Sequence, residues 1–221
     1  MTTVKLIECL NTWQGEGPDS GKRMLLCRFK NCNRVCKWCD TLVKMRVSQE
    51  AEFTMLNLQK IIDENKCGLM ITGGEPTFGD HYFDTKNLLT ELKYPLANVE
   101  SNGYMLKDLI NEVKSMKPIR FIYSPKFFNE EELQTEIDRT KDLINDIKYG
   151  TVTIKLVYQN IDIIERYLEF IEEFEINGKV FLMPEGDTRE KLISNSSMTF
   201  DAAEKYRLGF SSRDHIIYGF V

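Results

Sequence analysis

The chain is 221 residues long, 42% hydrophobic and 29% charged, with a formal charge of −5. That length and balance suit one folded α/β domain and exclude a disordered or fibrous chain, while the acidic excess argues against nucleic acid as a partner. No apolar run is long enough to span a bilayer and the first residues lack a signal-peptide layout, so a cytoplasmic protein with no membrane partner is expected.

In chain order, segment 1–22 starts strand-like and then carries Thr12-Trp13-Gln14-Gly15-Glu16-Gly17, whose glycines alone would mark an ordinary turn. An apolar run predicts a strand over Met24–Phe29. Alternation puts Arg28 on one face with Met24 and Leu26, opposite Leu25, Cys27 and Phe29. Cys32, Cys36 and Cys39 follow at C-x3-C-x2-C spacing, and then Asp40-Thr41. A stripe of Leu56, Leu58, Ile61 and Ile62 predicts a helix, and Gly68–Thr72 a strand that ends in Gly73-Gly74-Glu75-Pro76.

The pattern repeats through the rest of the chain. Phe83, Leu88, Leu89 and Leu92 mark a helix, then Ala97–Glu100 a strand before Ser101-Asn102-Gly103. Leu106, Leu109, Ile110 and Val113 make the next helical stripe, and Arg120–Tyr123 a strand before Ser124-Pro125-Lys126. The charged stretch Glu130–Ile147 reads as a helix with a solvated face. Strand Thr153–Val157, helix Ile161–Phe174 and strand Lys179–Met183 precede Pro184-Glu185-Gly186. Segment 187–221 closes the domain, with His215–Val221 as a closing strand and His215 in a structural role.

Strands alternating with helices imply βαβ units and a parallel sheet. Six units would form an incomplete (β/α)6-type barrel, and a doubly wound open sheet is the rival. Each polar cluster follows a strand, and in parallel α/β folds such loops share the face that carries the active site. No linker or repeat breaks the chain, so 1–221 reads as a single domain.

Six cysteines in a reducing compartment are metal ligands or packed thiols sooner than disulfides. Cys9, Cys27 and Cys67 lie in or beside apolar runs and read as core residues. The trio Cys32, Cys36 and Cys39 can hold a [4Fe–4S] cluster, leaving one iron open to a substrate's amino and carboxylate groups. Structural zinc is the alternative, but it wants a fourth ligand, and the two histidines, His81 and His215, stand at no ligand-like interval.

With its aromatic Trp38 before the last cysteine, this spacing resembles the signature of radical S-adenosylmethionine (SAM) enzymes. Gly73-Gly74-Glu75-Pro76 is similar to that family's methionine-binding turn. Other stretches resemble the 7-carboxy-7-deazaguanine synthases of the queuosine and deazapurine pathway. The resemblance implies substrate contacts from Trp13, Gln14, Gly15, Glu16, Arg28, Thr72 and Val221, with Arg28 on a carboxylate. It implies SAM contacts from Trp38, Asp40, Gly73, Gly74, Glu75, Ser101, Asn102, Ser124, Pro125, Lys126, Met183, Pro184, Glu185 and Gly186. Cys32, Cys36 and Cys39 would hold the cluster and Thr41 a Mg²⁺ completed by substrate oxygens.

The bland readings are a surface ion pair for Arg28 and a cap or turn for Asp40 and Thr41. Trp13, Ser101 and Met183 depart from the family's usual residues. The implied reaction is radical cleavage of SAM, hydrogen abstraction by the 5′-deoxyadenosyl radical from 6-carboxy-5,6,7,8-tetrahydropterin, and ring contraction to 7-carboxy-7-deazaguanine with loss of ammonia. An electron-donating reductant such as flavodoxin would be needed, and a homodimer is left open. The rivals are a glycyl-radical-enzyme activase or other small radical SAM enzyme, and a zinc-stabilised binding module.

Overall fold

A computed structural model of the chain describes residues 2–36, 39, 41–113 and 118–220. It contains two compact units, Met1–Gln14 with Gly21–Phe121, and Gly15–Ser20 with Ile122–Val221.

The first unit holds β1 (Thr3–Leu6), β2 (Glu8–Trp13), β3 (Arg23–Phe29), α1 (Leu42–Val47), β4 (Ala51–Thr54), α2 (Met55–Asn65), β5 (Gly68–Gly73), α3 (His81–Glu91), β6 (Ala97–Ser101), α4 (Leu106–Val113) and the start of β7 (Ile119–Tyr123). β3 pairs antiparallel with β2 and parallel with β5, and β5 pairs parallel with β6. β1 and β4 form a separate antiparallel pair.

The register explains where polar side chains collect. Leu10, Leu26 and Met70 lie side by side across β2, β3 and β5. Met24, Leu26 and Met70 are buried together, with Leu10 and Leu96 against them. Two residues further along the same face comes the polar rung Glu8, Arg28 and Thr72. Helix α4 buries Leu106, Leu109, Ile110 and Val113, the predicted stripe.

The second unit holds the rest of β7, then α5 (Glu130–Asp142), α6 (Ile144–Lys148), β8 (Val152–Tyr158), α7 (Asp162–Glu173), β9 (Val180–Pro184), α8 (Arg189–Lys205), β10 (Gly209–Phe210) and α9 (Asp214–Ile217). β8 pairs parallel with β9, and β9 with β10. Every position of β8 is buried, as expected for a strand covered on both faces.

The expected α/β class with mostly parallel strands is what forms, and the six strands predicted between Met24 and Met183 appear within a residue or so of their expected ends. One expectation fails. His215–Val221 is not a closing strand: α9 occupies Asp214–Ile217. Asp214 organises it locally, accepting from Ser212 and Ser20 through its carboxylate while its N–H reaches Gly15 O at 2.9 Å. The charged stretch after Asn129 is helical with the expected solvated face, though it breaks at Leu143 into α5 and α6. α5 buries Leu133, Glu136 and Thr140, and Glu136 accepts from Tyr123 and from Arg139 at 2.7 Å. Asn129 caps α5, and acidic residues in its first turn and basic ones in its last suit the helix dipole. No helix among the described residues is long and apolar enough to cross a membrane.

Candidate active site

In the first unit, the turn after β5 is pressed onto the chain that leads into the cysteines. Gly74 N–H donates to Phe29 O at 2.9 Å, and Glu75 N–H to Asn31 O at 2.8 Å. A Cβ on Gly74 would lie 1.8 Å from Asn31 O, and one on Gly73 would lie 2.4 Å from the Phe29 backbone. Gly73 also sits at φ +115°. Glycine is therefore the residue that lets these two segments touch. His81 braces the turn by stacking on Phe29 at 4.5 Å and bonding Glu75 O at 3.1 Å.

Glu75 points inward. Its carboxylate accepts from Thr77 N–H (3.1 Å), Thr77 Oγ1 (2.6 Å), Ser101 Oγ (2.7 Å) and Asn102 N–H (2.6 Å). Burial pushes its pKa up despite these donors. The structure thus joins three predicted residues, Glu75, Ser101 and Asn102, in one network. Asn102 in turn directs its amide to Asn33 Oδ1 at 2.8 Å and Cys32 Sγ at 3.7 Å.

Cys32, Cys36 and Cys39 form no disulfide and are half-buried on one loop. Cys32 Sγ also accepts from Arg34 N–H at 3.4 Å. Burial, the Glu75 carboxylate and the other two thiols push the Cys32 pKa up. The shift favours the neutral Cys32 thiol, and a bound cation would be needed to hold it as a thiolate. Among the described residues no three His, Cys, Asp or Glu gather around one ion-sized point. A cubane takes one thiolate per iron, so three cysteines on one loop fit that group.

Arg28 is held on the polar rung. Its Nε donates to Glu8 Oε2 at 2.6 Å and its Nη1 to Thr41 Oγ1 at 3.3 Å, while Lys44 Nζ donates to Glu8 Oε1 at 2.9 Å. Arg28, Thr41 and Thr72 are thereby neighbours, since Thr72 is Arg28's register partner on β5. Gln14 is buried and donates to Asn98 Oδ1 (3.0 Å) and Glu100 Oε1 (3.2 Å). Trp13 is instead 47% exposed, with the Arg23 guanidinium 5.9 Å from its ring centre.

The second unit is organised around Glu16. Its carboxylate meets Lys155 Nζ at 2.6 Å, Arg213 Nε at 3.0 Å and His215 Nε2 at 3.8 Å. Burial alone would raise its pKa, yet the Lys155, Arg213 and His215 charges pull it well below the usual carboxylate range. His215 packs so closely that a Cβ on Gly15 would lie 2.6 Å from its Nδ1. Ser124 Oγ donates to Lys155 O at 2.8 Å, next to a buried Pro125 and a half-buried Lys126. Met183 and Pro184 are buried. Asn195 Nδ2 donates to Glu185 O at 2.8 Å and Arg213 Nη1 to Gly186 O at 2.7 Å.

Glu8, Asn98, Lys155 and Arg213 escaped the sequence reading. Lys155 left a trace, as a cation in an otherwise apolar strand. Expectations for Trp38, Asp40 and Val221 lie outside the described residues.

A family model described as a 4Fe-4S single cluster domain matches residues 14–144. The chain is 31% identical over 128 residues to the 7-carboxy-7-deazaguanine synthase of Haemophilus influenzae, spanning 55% of this chain and about half (52%) of that protein. It is 25% identical to the Hyperthermus butylicus protein of the same name, over 98% of this chain and 93% of that one. The crystal structure of QueE from Escherichia coli superposes with a TM-score of 0.62 at 18% identity, covering 96% of this chain and 95% of that one. That of Streptococcus suis SuiB bound to S-adenosylmethionine has a TM-score of 0.57 at 18% identity, covering 86% and 49%.

Proposed function

Since the chain belongs to the 4Fe-4S single cluster domain family, we propose that it is a radical SAM carbon–nitrogen lyase that makes 7-carboxy-7-deazaguanine. Its substrate would be 6-carboxy-5,6,7,8-tetrahydropterin, and ammonia would be lost. The observation that carries this reading is the docking of the Gly73-Gly74-Glu75 turn onto residues 29–31, immediately before Cys32. It unites the cysteine loop and the glycine turn, and the relatives' shared name supports the substrate.

When bound, the cluster and SAM supply the radical chemistry, and Mg²⁺ a template for the substrate. Cys32, Cys36 and Cys39 would hold the cluster, and the half-buried turn at Gly73 and Gly74 would offer close backbone approach to SAM. Arg28 would orient the pterin carboxylate through a guanidinium already fixed in direction. Thr41 Oγ1 would offer Mg²⁺ one oxygen, with substrate oxygens and water completing the shell. Buried Gln14 and its row on β6 match the donor-rich edge of a pterin ring. A one-electron reductant such as a flavodoxin, a cytoplasmic setting and a homodimer are compatible with this chemistry.

The test is 5′-deoxyadenosine release by anaerobically reconstituted protein with SAM and reductant, with and without the carboxylated pterin. Release should rise with the pterin. Arg28→Ala should raise the pterin KM by about tenfold or more while uncoupled SAM cleavage persists. Cleavage indifferent to the pterin would reject the substrate, and a zinc-loaded, iron-free protein would reject the class.

A further inference from the structure

The cysteines sit on a loop whose two ends are tied by residues outside any cluster-binding motif. β3 runs through Arg28 and ends at Phe29, and α1 leaves the loop at Leu42. Glu8, on β2, is the register partner of Arg28. One carboxylate oxygen takes Arg28 Nε at 2.6 Å, from the entering strand. The other takes Lys44 Nζ at 2.9 Å, from the leaving helix. Two further bonds span the same ends: Arg28 Nη1 to Thr41 Oγ1 at 3.3 Å, and Lys30 Nζ to Ser48 O at 3.0 Å.

We infer that Glu8 is a positioning residue that clasps the base of the cysteine loop, holding the cluster ligands together and aiming Arg28 and Thr41 from one carboxylate. The physical case rests on directionality and charge. Glu8 and Arg28 are mostly shielded, with side-chain exposures of 18% and 15%. Charge-assisted bonds in such places are stronger than exposed pairs. Arg28's planar fork has its Nε fixed by Glu8, which sets the orientation of the remaining guanidinium edge. Burial raises the Glu8 pKa, but the bonds from Lys44 and Arg28 outweigh it and hold the group below the ordinary carboxylate range, so the clasp stays ionised at neutral pH. Both ends of the loop would thus be held before iron arrives, lowering the entropy lost on cluster assembly.

This rests on the reading that the loop holds a cluster and that Arg28 meets substrate, so the test separates the two. In metal-free protein, Glu8→Ala should speed backbone hydrogen exchange in residues 30–48 by about tenfold while leaving β8 and β9 unchanged. In reconstituted protein the same variant should lose iron to a chelator about tenfold faster and raise the pterin KM by a similar factor. Glu8→Gln, keeping shape without charge, should fall between it and the native protein. Lys44→Ala removes only the helix arm and should speed iron loss more than it raises KM. Unchanged exchange and iron loss in Glu8→Ala would overturn the clasp, as would exchange raised equally throughout the chain. Faster local exchange in a protein that takes up no iron would uphold the clasp and reject the cluster reading.

Discussion

Two buried carboxylates, Glu75 and Glu16, come from loops that resemble family motifs, and each is occupied chiefly by protein partners. Glu75 gathers donors from its own turn and from Ser101 and Asn102. Glu16 sits among Lys155, Arg213 and His215. Their first effect is to arrange the loops, and any ligand meets loops already ordered. For Glu16 this carries a pH signature. Its folded pKa lies far below the ordinary 4.5, so its stabilisation is complete above that value and is lost progressively as pH falls below it. Glu16→Gln should be less stable by about 3 kcal/mol near pH 7, because two buried cations lose their counter-charge. The gap should narrow by about pH 3, where Glu16 of the unfolded chain is already protonated while the native carboxylate is still ionised. Urea midpoints at both pH values read this out, and a gap independent of pH would contradict the assignment. Cysteine spacing and glycine pairs were legible in sequence because local chemistry dictates them. Glu8, Asn98, Lys155 and Arg213 were not, since their partners lie far away in the chain and only register brings them near.

At the scale of elements, strands were legible and chain ends were not. Runs such as Met24–Phe29 and Thr153–Val157 carry their own burial, and each forms a strand. His215-Ile216-Ile217 looks equally strand-like, but Asp214 and its hydroxyl partners turn it into α9. Tertiary partners decided there, as propensity could not. The glycine turn gives the sharper test of element packing. Gly74→Ala places a methyl 1.8 Å from Asn31 O and should destabilise by about 3 kcal/mol or more. Gly17→Ala meets nothing within 4 Å and bears only the strain of φ +69°, about 1 kcal/mol. Similar losses in denaturant midpoint for both would mean that the turn does not lie against residues 29–31.

At the scale of the whole molecule, polar clusters follow the parallel strands in both compact units, and in the first a cysteine loop is tied at its base. The fold class was foreseeable from the βαβ rhythm, because alternating strand and helix patterns are written in local hydrophobic periodicity. What the molecule does depends on whether these residues act on one substrate together. The most direct measurement is mass analysis of products after anaerobic incubation of the reconstituted protein with 6-carboxy-5,6,7,8-tetrahydropterin, SAM, Mg²⁺ and reductant. The proposed lyase activity requires 7-carboxy-7-deazaguanine and ammonia as products, dependent on iron and on SAM. An iron-loaded protein that cleaves SAM yet leaves the pterin intact would contradict it.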